Sequence, residues 1–186
     1  MPEVSILSVL RERAGLTPHD LAFTFTDYDR DWEGVTESLT WSQLYRRTLN
    51  VAHEVGRNGS PGDRALIVAP QGLSFIVAFL GAMQAGFIAV PLPVPVPGSY
   101  DERLSAVVTD TSPAVVLTTS GVFDIAAQYV DDGAAVIATI AVDTLDLDAD
   151  QSVSPEIPEG PDVAYLQYTS GSTRLPAGVM ISHRNL

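Results

Sequence analysis

The 186-residue chain contains no cysteine, so disulfides and thiolate metal sites are excluded. Lysine is missing too. All ten basic residues are arginine, which removes lysine chemistry from these residues. Acidic residues number 23, and the net charge of −13 argues against nucleic acid or an anionic membrane surface as partner, since both need basic patches. From Ala65 to Tyr100 no charged residue occurs at all. Within that stretch Leu73 to Val90 is apolar enough to suggest a membrane span. Yet Gln84, Ala85 and Gly86 divide it, and Pro91, Pro93, Pro95 and Pro97 end it. A buried helix followed by a buried strand explains this better. No basic segment precedes an apolar run at the start, so no signal peptide is visible and a cytoplasmic enzyme is the expectation.

What is present is 46% hydrophobic and 18% charged, the balance of a globular domain or part of a larger one. A short helix is expected over Ser5–Ala14, with Gly15 where a C-terminal cap would fall. Leu21–Thr26 alternates like a strand, residues 27–36 read as a polar turn, and a short strand is expected near Glu37–Leu39. Thr40 and Gln43 form a capping box that opens a helix running to about Val55. Asn58–Gly62 reads as a turn, Ala65–Ala69 as a buried strand, 72–85 as a helix and Phe87–Leu92 as another buried strand. Ser99 and Glu102 suggest a second capping box, with Leu104, Val107 and Val108 on one face of its helix. Strands are expected at Ala114–Thr118, Ala135–Val142, Val163–Tyr168 and Val179–Ser182, with a helix capped by Ser120 and closed by Gly133 between the first two. Residues 143–162 read as an acidic surface connection, and His183–Leu186 as the start of a helix. Strands alternating with helices, several of them apolar on both faces, predict an α/β fold with a mostly parallel sheet flanked by helices.

One segment speaks of chemistry. After the strand at 163–168 comes Thr169-Ser170-Gly171-Ser172-Thr173-Arg174, a small, hydroxyl-rich loop. Such a loop offers backbone N–H groups and hydroxyls to an anion without bulk to block it. Its expected position, at the carboxyl end of a strand in an α/β sheet, is where ligands bind. The competing reading is an ordinary polar loop between two strands. It is not a Walker A loop, because the Gly-Lys-Ser/Thr ending and the following helix are lacking.

Other clusters are weaker. Asp146, Asp148 and Asp150 alternate, but an EF-hand would need glycine at Gln151 and glutamate at Ile157. Asp27, Asp29, Asp31 and Glu33 read as an acidic turn. His19, His53 and His183 lack ligand spacing, and no metal site is expected.

The loop resembles the phosphate-binding signature of the adenylate-forming superfamily, to which acyl-CoA synthetases, luciferases and peptide-synthetase adenylation domains belong. Thr169–Thr173, Pro176, Gly178-Val179, Ser182-His183 and Asn185 match that signature. Two positions depart, with Arg174 in place of glycine and Ala177 in place of lysine. Together with Leu39–Val51, Ala69–Gly72 and Val77–Pro91, they resemble the fatty-acyl-AMP ligases of mycobacterial-type lipid synthesis.

That resemblance implies ATP and Mg2+ as cofactors, a fatty acid as substrate, and an acyl carrier protein of a polyketide synthase as acceptor. It implies phosphate binding by Thr169, Ser170, Gly171, Ser172 and Thr173, while Arg174, from its place in the loop alone, is expected to replace part of the missing lysine's charge, against a reading in which it faces solvent or pairs with an acidic neighbour. It further implies that residues 1–186 are the N-terminal portion of the large adenylation domain. The remainder of that domain and the C-terminal domain would be absent, and the piece inactive alone. Two alternatives stand beside it, a catalytically silent module that binds a partner protein and a fragment of a fatty-acyl-CoA ligase.

Overall fold

The computed structural model describes residues 5–96, 102–130, 137–150, 162–169 and 177–186. Ser5 caps the first helix, α1 (Ile6–Leu16), by accepting a hydrogen bond from Ser8 N. The helix runs through Gly15, where its end was expected, and closes at Thr17, whose N–H donates to Arg13 O. Then β1 (Leu21–Asp27) and β2 (Val35–Thr40) form an antiparallel hairpin of their own. β2 begins earlier than its polar sequence suggests. Thr26 pairs with Thr36 and Thr24 with Ser38 through their hydroxyls across the two strands. Thr40 and Gln43 make both bonds of the expected capping box at the start of α2 (Trp41–Gly56).

The main sheet follows. In chain order it is built from β3 (Arg64–Val68), β4 (Ile88–Leu92), β5 (Val115–Thr118), β6 (Ala138–Ala141), β7 (Val163–Thr169) and β8 (Ala177–Ser182). Its spatial order is β6-β5-β3-β4-β7-β8, parallel throughout except for β8, which runs antiparallel to β7. Helix α3 (Leu73–Gln84) connects β3 to β4, α4 (Glu102–Thr111) precedes β5, and α5 (Phe123–Val130) precedes β6. The architecture is the expected mostly parallel sheet covered by helices.

Strand alternation splits the core in two. Ala65, Ile67, Ala89, Val115 and Leu117 face α1, α2 and α3, where Leu44, Val51, Val77 and Met83 are buried. Leu66, Val68, Val90, Leu92 and Val116 face the other way, against Leu104 and Val107 of α4 and Ala126 and Val130 of α5. The uncharged stretch of the sequence is thus α3 and the two central strands. Among the described residues no helix is long and apolar enough to cross a membrane.

Several local expectations are corrected. Ser120 does not cap a helix: its Oγ donates to Asp143 Oδ2 at 2.6 Å and its N–H to Asp143 Oδ1 at 2.8 Å, within a short 3₁₀ turn ahead of α5. The start of the acidic connection is tied to the body. Asn50 Nδ2 donates to Leu147 O and Ala149 O, and Leu145 and Leu147 pack on the core. The expected helical start at His183 agrees with the 3₁₀ turn His183–Asn185, in which Asn185 Oδ1 accepts from Ser182 Oγ and N. Ser99, Gly133, Ala135 and residues 151–161 lie outside the described residues, as does part of each expectation made on them.

Candidate functional site

β7 is parallel to β4, and Thr169 is its last residue. Across the hairpin Thr169 is registered with Ala177, the first residue of β8. The expected anion loop therefore leaves from the carboxyl end of a strand in the parallel sheet, where α/β folds bind ligands. Thr169 is exposed there. Ser170, Gly171, Ser172, Thr173 and Arg174 lie outside the described residues.

The base of this hairpin is specific. Tyr168 stands opposite Gly178, and a Cβ on that glycine would lie 2.9 Å from the phenol Cζ. The Tyr168 hydroxyl donates to Asp110 Oδ2 on α4 at 2.5 Å. Burial and this acceptor both raise the Tyr168 pKa well above the ordinary phenol value, while the nearby Arg64 guanidinium opposes them. Arg64, the first residue of β3, donates through Nε to Thr111 O and through Nη2 to Ser112 O. It thereby satisfies carbonyls at the end of α4, where Ser112 adopts φ +43°. On the opposite face of β7, the Tyr165 ring meets Phe79 of α3 edge-on, with centroids 5.4 Å apart. None of these contacts has a local sequence signal, since Tyr168 and Asp110 are far apart in the chain.

A second feature of the same sheet edge has no local sequence signal. After β3 the chain turns at Pro70-Gln71-Gly72 into α3, and after β5 it passes Thr119. Between β3 and β5 the order of strands reverses, which opens a crevice at their carboxyl ends. It is a cleft of about 180 Å³, lined by Gln71, Gly72, Ser74 and Thr119 and by Phe25 and Arg30 of the β1–β2 hairpin. Arg30 is paired with Glu37 at 3.1 Å beside it.

The weaker clusters behave as solvated structure. Asp27 Oδ1 accepts from the N–H groups of Asp29 and Arg30, and Asp31 Oδ1 from Glu33 N, so these acids shape a turn. Asp148 is held by Arg47 through two bonds of 3.0 and 2.8 Å. His19 and His53 are exposed. Among the described residues no group of three or more acidic or histidine side chains could hold a metal ion.

Comparison with known proteins gives this geometry its family. Residues 10–186 match the model of the AMP-binding enzyme family, described as "AMP-binding enzyme". A Mycobacterium leprae protein, fadD21, whose name describes a fatty-acid–CoA ligase, is 63% identical over 100% of this chain and 32% of its own length. The long-chain-fatty-acid–AMP ligase FadD28 of Mycobacterium tuberculosis is 57% identical over 98% of this chain and 32% of its own. The chain thus spans about a third of these relatives. Among solved structures, the fatty acyl-adenylate ligase of Legionella pneumophila, in complex with acyl adenylate and pyrophosphate, superposes with a TM-score of 0.82. It is 32% identical, over 96% of this chain and 30% of that one. Matched along nearly its whole length, the chain belongs to the AMP-binding enzyme family.

Proposed function

We propose that this chain is the N-terminal part of the large domain of a fatty-acid adenylating enzyme. The reaction would join a fatty acid to ATP, giving acyl-AMP and pyrophosphate. The carboxylate oxygen forms a bond to the α-phosphorus, and the bond from that phosphorus to pyrophosphate breaks. A fatty acid, with a pKa of about 4, is already ionised at neutral pH, so no general base is required. The protein's task is to position a polyphosphate and to neutralise it.

The residues present fit that task. Thr169, Ser170, Ser172 and Thr173 carry hydroxyls, Gly171 has no side chain to block an anion, and Arg174 brings a positive charge to a sequence that has Ala177 in place of the signature's lysine. In this reading Thr169–Thr173 hold the β- and γ-phosphates, with Arg174 beside them. Magnesium, which such enzymes generally use, would be held by residues elsewhere, since no described cluster suits it. The single observation that carries the reading is the place of Thr169. It is exposed at the carboxyl end of β7, in a chain 32% identical to a ligase solved with acyl adenylate and pyrophosphate.

Alone, the chain is expected to be inactive. The test grafts it in place of the matched segment of the M. leprae relative and measures fatty-acid-dependent ATP–pyrophosphate exchange. The expected outcome is exchange by the graft and none by the chain alone. A folded graft that exchanges no pyrophosphate, while the relative does, would refute the proposal.

The names of the relatives divide between CoA ligase and AMP ligase. We favour a carrier-protein phosphopantetheine thiol of a polyketide synthase as the acceptor, with the enzyme working in the cytoplasm. The support is the Arg174 and Ala177 pair, which resembles the acyl-AMP ligases. Supplying the graft with both thiols tests it, and acyl-CoA as the main product would assign the CoA-ligase reading instead.

A further inference from the structure

At its loop-bearing end β7 is paired with β8, Tyr168 with Gly178 and Thr169 with Ala177. It meets β4 in register at a single pair, Ala89 and Tyr165, well before Thr169. On its other side β8 is an edge strand, with Val179 and Met180 exposed. The position of Thr169 therefore depends on contacts other than the parallel ladder. One such contact adjoins it. The Tyr168 ring lies over Gly178, where only a missing side chain leaves room, and its hydroxyl reaches Asp110 on α4. The end of α4 is in turn fastened to β3 by Arg64. A continuous chain of bonds thus runs from the central strand through α4 to the residue next to Thr169.

We propose that Tyr168 is a positioning residue for polyphosphate binding, its hydrogen bond to Asp110 setting where Thr169 stands. The proposal rests on the phosphate reading of that loop. Hydrogen bonds weaken steeply with misplacement, and a bound polyanion needs its donors in place beforehand. Asp110 itself is a negative charge near an anion site. Its removal would tighten anion binding if charge alone mattered, whereas loss of the tether weakens it.

The opposed directions make the test. Inorganic pyrophosphate is titrated into the 186-residue chain while the Thr169 backbone amide is followed by NMR, and the melting temperature of each variant is recorded separately. Tyr168→Phe and Asp110→Ala should each weaken pyrophosphate about tenfold, the worth of one hydrogen bond to the anion from a displaced Thr169. The double variant should be no weaker than either single one. Asp110→Asn, whose amide oxygen still accepts the phenol, should bind at least as well as the unaltered chain. Equal affinity in Tyr168→Phe, or tighter binding in Asp110→Ala, overturns the positioning role alone. Should Tyr168→Phe fail to fold, the Asp110→Ala and Asp110→Asn pair decides it. An unaltered chain that shows no response to pyrophosphate overturns the phosphate reading and the positioning role together.

Discussion

Gly81 of α3 packs against Val51 of α2 so closely that a Cβ at Gly81 would lie 2.5 Å from Val51 Cγ1. Both helices sit on one face of the sheet, and Val51 is fully buried. Gly81→Ala should therefore force the helices apart and destabilise the chain by about 1–3 kcal/mol, the usual cost of overpacking. Val51→Ala in the same chain should recover part of that loss, because the two changes act on one contact. Urea denaturation of the two single variants and the double checks both statements. Strictly additive losses would remove the steric account.

Asn50 is buried on α2, and its amide nitrogen reaches Leu147 O at 2.7 Å and Ala149 O at 3.1 Å. Asn50→Leu leaves these carbonyls without their donor, at a cost of about 1–3 kcal/mol. The loss should be local as well as global. Hydrogen exchange should quicken over residues 145–150 before the sheet strands respond. Unchanged protection there would mean that other contacts hold the segment.

Acid should loosen the same segment. Arg47 donates two hydrogen bonds to Asp148 and lowers its pKa below the ordinary carboxylate value, with burial opposing and the charges of Arg47 and Arg46 assisting. A depressed folded-state pKa gives stability that is present above the unfolded value of 3.8 and lost as pH falls through the folded one. The pair is partly exposed, so its worth is about 1 kcal/mol or less. Arg47→Ala should lower stability at pH 7 by that amount and change little at pH 2, as read by denaturant midpoints at the two values.

Base acts in the opposite sense on Tyr168. Burial, then the Asp110 acceptor, raise its pKa above the ordinary 10.0, so the folded state prefers the neutral phenol. The stability this group contributes is complete below pH 10 and falls as pH rises beyond it, when unfolded chains ionise and folded ones do not. Tyr45 adds a second share, its pKa raised by burial against the influence of Arg11. Tyr168→Phe should accordingly shrink the loss of stability between pH 9 and 11 without abolishing it. An alkaline profile identical to that of the unaltered chain would show the phenol to be well solvated.

The elements legible beforehand were those with local or periodic causes. The Thr40–Gln43 box announced α2, and apolar runs bounded by turns announced β3, β4 and β5, because both signals sit within a few residues. β2 exceeds its local signal at Val35 and Thr36, since Thr36 follows a polar turn and its partner Thr26 lies on another strand. Ser120 looks locally like a cap for the same reason: its acceptor, Asp143, is distant in sequence. At the candidate site the loop's composition and its place after a strand were readable. The tether from Tyr168 to Asp110 and the crevice between β3 and β5 were not, because both arise from the order of strands in space.

That strand order also has a consequence in time. Of the main sheet's strands β3 is made first yet lies in the middle, and β4 soon covers one of its edges. The far edge of β4, however, waits for β7, so it remains bare while residues 93 to 162 are being synthesised. A hydrophobic strand with open backbone groups is prone to wrong partners during such an interval. Among the described strands, the hairpin that bears Thr169 is the one that covers this edge, and on a ribosome the edge stays open until that hairpin emerges.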